Sequence, residues 1–136
     1  MLWPRRLRET ETEPAREVRC WAVLSALREN LPGVRVFFVL GPGGELLDSA
    51  AVERGFDVSL LASEYATLLR IVKRTSRDTG MGDIQEQVLA SSSSLVLIQH
   101  LPKDRSAVFI CSPGEQLGRL RYELKRSLLY SSLCNL

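Results

Sequence analysis

The chain has 136 residues and a formal net charge of +2, from 18 basic and 16 acidic side chains, with 45% hydrophobic and 25% charged residues. These are the proportions of one globular domain with a single core. The small charge speaks against a nucleic-acid partner, and no apolar run approaches the ~20 residues of a membrane helix, so no membrane insertion is expected.

The first stretch, "MLWPRRLRETETEPARE", is polar and has no apolar segment that could serve as a signal peptide. Residues 1–16 read as a flexible arm, with Trp3 as its one aromatic anchor. A first helix is predicted from about Pro14 to Asn30, with Cys20, Val23, Leu24, Leu27 and Leu31 on one stripe. Pro32-Gly33 stops it. Val34 to Leu40 is a β-branched and aromatic run, read as a central strand buried on both faces. Glu45 to Ala50 reads as its partner strand.

Asp57 can cap a long second helix over Val58 to Thr79. At 100° per residue, Val58, Leu61, Tyr65, Leu68, Leu69 and Val72 form its inward face. Arg70, Lys73, Arg74 and Arg77 fall opposite, and Leu60, Thr67 and Ile71 form an apolar shoulder between. Gly80-Met81-Gly82 ends the helix. Ile84 to Ala90, Leu95 to Leu101 and Ala107 to Cys111 read as three strands, with turns at Ser91-Ser92-Ser93 and Pro102-Lys103-Asp104-Arg105. Ser112-Pro113-Gly114-Glu115 has the form of a capping box before a last helix. Leu117, Leu120, Leu124 and Leu128 are its inward stripe, and the tail from Ser131 is expected to fray.

The order α-β-β-α-β-β-β-α, with short hairpins, predicts an α/β (α+β) protein built as a three-layer α/β/α sandwich.

Three features invite a chemical reading. "GPGG", Gly41 to Gly44, follows a strand as phosphate loops do. It lacks the lysine and hydroxyl of a Walker loop, and no helical period follows it. Pro42 also removes a backbone donor, so a hairpin turn is the better reading. "SSSS", Ser91 to Ser94, has no nucleophile motif around it and reads as a turn. His100 is the only histidine, which excludes multi-histidine metal sites. The three cysteines, Cys20, Cys111 and Cys134, form no C-x-x-C pair and fit a reducing, cytoplasmic setting. No acid, base, nucleophile and metal set converges, so no enzyme activity and no cofactor are expected.

Two surfaces suggest partners instead. The stripe Arg70, Lys73, Arg74, Arg77 has no acid within it, so pairing along the helix does not explain it and an acidic partner would. The shoulder Leu60, Thr67, Ile71 is wider than one buried stripe needs and suits a contact between helices of two subunits.

The whole arrangement resembles the Roadblock (dynein light chain) domain. The resemblance rests on the hairpin "VRVFFVLGPGGELLDSA", the run "GMGDIQE" entering the third strand, and "SPGEQLGRLRYEL" after the last strand. It covers residues 17–130, leaving the arm 1–16 and a tail 131–136. It implies a five-stranded antiparallel sheet with one long helix on one face and two helices on the other. It further implies a non-catalytic homodimer that regulates small Ras-like GTPases, as bacterial polarity regulators do, with the second helices paired and the third strands joined edge to edge. Carried onto this chain, the dimer residues are Leu60, Glu64, Thr67, Ile71, Ile84, Glu86 and Val88, and the partner-binding residues Arg70, Lys73, Arg74 and Arg77. The alternative within the resemblance is a structural adaptor or scaffold subunit without GTPase contact. A small-molecule sensor of the same architecture is a third class, which the bulky strand residues disfavour.

Overall fold

The computed structural model describes residues 20–134; the arm at 1–16, with Trp3, lies outside them. Helix α1 spans Cys20–Arg28, and the part of the first helix expected before Cys20 is also outside the described residues. Strands β1 (Val34–Leu40) and β2 (Leu46–Ala51) form the first hairpin. Helix α2 runs Val58–Asp78. Strands β3 (Glu86–Ala90), β4 (Leu95–Leu101) and β5 (Arg105–Cys111) follow, then helices α3 (Leu117–Arg126) and α4 (Leu128–Cys134).

The strands form one antiparallel sheet in the order β2-β1-β5-β4-β3. The sandwich read from the sequence is therefore present. β1 and β5 lie in the middle, and every β5 residue is buried. Alternation splits the core into two. Val34, Phe37, Val39, Leu97 and Phe109 face α1 and α3; Val36, Phe38, Leu40, Ile98 and Val108 face α2. Val34 and Phe37 share a face because the β1–β5 register shifts between Val34 and Val36. Phe37 and Phe109 stack at 4.3 Å, and Tyr130 of α4 meets Phe109 edge-on at 5.8 Å.

Both serine and glycine turns are hairpin structure. Gly41 N donates to Glu45 O at 2.8 Å, Gly44 N donates to Gly41 O at 3.0 Å, and Ser91 N donates to Ser94 O at 2.9 Å. At the start of α1, Cys20 N donates to Asp48 Oδ2 at 2.9 Å, so β2 holds the helix in place.

Two helix boundaries differ from the sequence reading. Ser112 does not cap the last helix: its N–H donates to Gly33 O at 2.8 Å, which ties it to the loop before β1. Glu115 N donates to Ser112 O at 3.1 Å in a turn, and α3 starts only at Leu117. The single last helix is in fact two. Ser127 leaves helical geometry at ψ 116, and its Oγ accepts from Tyr130 N at 3.1 Å, an N-cap bond that opens α4. Leu128 thus begins a second helix rather than extending the α3 stripe, and residues 131–134, expected to fray, are helical. Strand β3 is also shorter than expected: 81–85 is irregular and Ile84 precedes the strand.

Candidate interaction surface

Asp57 caps α2 as expected, its Oδ1 accepting from Leu60 N at 3.0 Å. The face that α2 buries is not the one the apolar stripe indicated. Its buried residues are Ala62, Ala66, Leu69 and Ser76; Val58, Leu61, Tyr65, Leu68 and Val72 are only half-buried. At 100° per residue this is a roll of roughly 60° toward the basic side. The cause is close approach. A Cβ on Gly44, whose φ is +86°, would stand 3.1 Å from Ala66 Cβ, so a small side chain is needed where the helix passes the turn. The bulkier residues flank it.

The roll changes what α2 presents outward. Leu60, Thr67 and Ile71 are no shoulder; with Glu64 they form the crest, Leu60 being 55% and Ile71 48% exposed. They are spaced to lie in one line along the helix. Thr67 Oγ1 donates to Ser63 O at 3.1 Å and accepts from Arg70 Nη2 at 3.2 Å. The basic residues flank the crest instead of opposing the sheet. Arg70, Arg74 and Arg77 are exposed, but Lys73 is half-buried and pairs with Asp104 at 2.8 Å. The acid missing from the helix is therefore supplied to Lys73 by the β4–β5 turn. That turn holds Lys103 at φ 66° and Asp104 at φ 59°, two consecutive non-glycine residues in left-handed conformation. The "GPGG" turn and this one lie at the same end of the sheet, since Leu40 is opposite Ser106.

The structure places the remaining expected dimer residues apart from the crest. Glu86 and Val88 pair with Gln99 and Leu97, so their side chains lie on the sheet face away from α2. Glu86 is engaged there: Arg121 donates to its carboxylate, and Gln99 Nε2 donates to Oε2 at 3.3 Å. The bond from Arg121 holds the Glu86 carboxyl below its usual range. Like the crest, the outer edge of β3 has no partner among the described residues. His100 N donates to Gln85 O, so by alternation the backbone groups of Glu86, Val88 and Ala90 point away from β4. On the α2 side of these strands, Gln87 Nε2 and His100 Nε2 are buried without a hydrogen-bond partner among the described residues. Burial, and then Lys73, push the His100 imidazole below its ordinary value, against a smaller opposing pull from Asp104.

Cys20 and Cys111 are buried thiols, and burial pushes Cys111 up to about 12. Among the described residues no group of three or more His, Cys, Asp or Glu could hold a metal ion, and no helix is long and apolar enough to cross a membrane. What the described residues present outward is an apolar crest, a basic flank and a strand edge with no partner among them.

No family model matches the chain, and no curated protein matches it. Solved structures do. Myxococcus xanthus MglB is similar with a TM-score of 0.72 at 20% identity, over 84% of this chain and 90% of that one. The Roadblock/LC7 domain from Streptomyces avermitilis gives 0.69 at 16% identity, over 82% and 92%. The gliding protein MglB from Thermus thermophilus gives 0.70 at 16% identity, over 85% of each chain. At such identities the likeness speaks for architecture, and the architecture is the Roadblock fold.

Proposed function

We propose that the chain is a non-catalytic, dimeric binding module of the cytoplasm that regulates a small Ras-like GTPase. The observation that carries this reading is the α2 crest, where Leu60 and Ile71 are exposed on a helix whose flank bears Arg70, Arg74 and Arg77. Exposed leucine and isoleucine in line suit a second copy of the helix. The cations beside them suit an acidic partner surface, with steering at low salt. The Roadblock resemblance implies a GTPase as that partner. In this reading the dimer joins the α2 crests and the β3 edges and buries about 1,200–2,000 Å² in total.

Sedimentation velocity tests the dimer; a monomer at high micromolar concentration rejects it. Affinity capture with Arg70, Arg74 and Arg77 reversed to glutamate tests the flank. Loss of a GTPase from the captured proteins supports the reading, whereas capture of a cytoskeletal assembly without any GTPase replaces it with an adaptor role.

A further inference from the structure

On the sheet face away from α2, Leu120 and Leu124 of helix α3 join the core cluster that holds Leu97 and Phe109. Arg121 of the same helix reaches Glu86 at the start of β3, but Val88 and Ala90 further along that face are exposed. A groove of about 810 Å³ lies there between α3, the start of α4 and the edge strand. Gly118, Arg121, Tyr122 and Lys125, at i, i+3, i+4 and i+7, form its helical wall, and Glu86 and Gln99 its floor.

The floor is preorganised and its polar groups are satisfied by one another. Arg121 donates to Glu86, Gln99 Nε2 donates to Glu86, and the Tyr130 hydroxyl donates to Gln99 Oε1. The one acid of α3, Glu123, is buried and accepts from Asn30 Nδ2 at 3.4 Å on the inner side. Among the described residues the wall therefore keeps positive charge that no acid pairs. Lys125, exposed in the groove, has no ion pair among the described residues, and neither has Arg119 on the same helix. Tyr122 adds a flat ring, 59% exposed, with the Arg126 guanidinium 5.7 Å from its centre.

We propose that this groove is a second docking site, which takes an acidic peptide segment of a partner protein. Carboxylates of the peptide meet Lys125 and the neighbouring arginines, and an apolar side chain lies against Tyr122. The site is on the opposite sheet face from the α2 crest and does not rest on the reading given for that helix.

The test uses the full chain and a fluorescein-labelled peptide of alternating glutamate and leucine, followed by anisotropy. Lys125→Glu removes the free cation. Gly118→Trp fills the groove without changing charge, because a Cβ at Gly118 meets nothing within 4 Å. Each should weaken binding by about tenfold or more, while Arg74→Glu on α2 leaves it unchanged. Should Gly118→Trp fail to fold, Lys125→Glu alone decides. Absence of peptide binding, unchanged affinity in these variants, or equal loss from Arg74→Glu would overturn the proposal. So would binding to phosphatidylserine vesicles that needs Lys125 while the peptide is ignored, which assigns a lipid surface. A lower sedimenting mass for Gly118→Trp would assign the groove to a second copy and overturn it as well.

Discussion

Gly44 is where the hairpin turn and α2 meet, and replacing it separates two costs. Its φ of +86° is left-handed, so an alanine there costs about 1–2 kcal/mol in local sterics. Its Cβ would also stand 3.1 Å from Ala66 Cβ, inside the ~3.5–4.0 Å at which carbons attract. Gly80 supplies the control: its φ is +75°, and a Cβ there meets nothing within 4 Å. Gly80→Ala should cost about 1 kcal/mol and Gly44→Ala about 2–3 kcal/mol, the excess being the displacement of α2. Urea unfolding reads both from the midpoint at unchanged slope. A double-variant cycle sharpens the result. Ala66→Gly alone loses about 1 kcal/mol of helix propensity but should lose less beside Gly44→Ala, since it relieves the contact. Equal losses at Gly44 and Gly80, with no coupling to Ala66, would refute the claim that close approach sets the roll of α2.

Asp57→Ala removes the α2 cap and should cost about 1 kcal/mol by thermal or urea unfolding. Phe109→Ala empties the space between Phe37 and Tyr130 and should cost about 3–5 kcal/mol by urea unfolding; Tyr130→Phe, which loses the hydroxyl bond to Gln99, should cost about 1 kcal/mol in the same assay. Glu86 has a depressed carboxyl value when folded, so its contribution is present above the usual value of 4.5 and disappears as pH falls through the lower folded value. Glu86→Gln should therefore be less stable than the parent near neutrality and converge with it in acid, which a series of melting temperatures against pH will show.

The strands were legible because β-branched and aromatic runs bounded by glycine, serine and proline have few other uses. Val34–Leu40 and Leu95–Leu101 were read to the residue. Helix α2 was legible in extent but not in rotation. Its contact line is made by Ala62 and Ala66, which contribute little to an apolar stripe but matter most when a backbone lies close. The rotation in turn moves Leu60 and Ile71 from a shoulder to the crest, and brings Lys73 from the outward face to a half-buried position. Asp104 could not be paired with Lys73 from sequence because the bond spans 31 positions and depends on two left-handed residues that no motif announces. The break at Ser127 had a local signal, a serine three residues before a buried tyrosine, but the regular spacing of Leu120, Leu124 and Leu128 obscured it. The groove beside α3 had no signal at all, because it arises from how the helix sits beside the edge strand β3, which it meets only through Arg121 and Glu86.

That last strand has a cost of its own. Outer strands are commonly blunted by lysine, proline, a bulge or a covering element. The five residues of β3, "EQVLA", carry none of those residues, and Val88 and Leu89 are exposed beside the open backbone. A chain with this border is a template for any extended segment it meets. Its solubility should follow the supply of whatever closes the border, so production in excess of that supply selects for insoluble cross-strand assemblies.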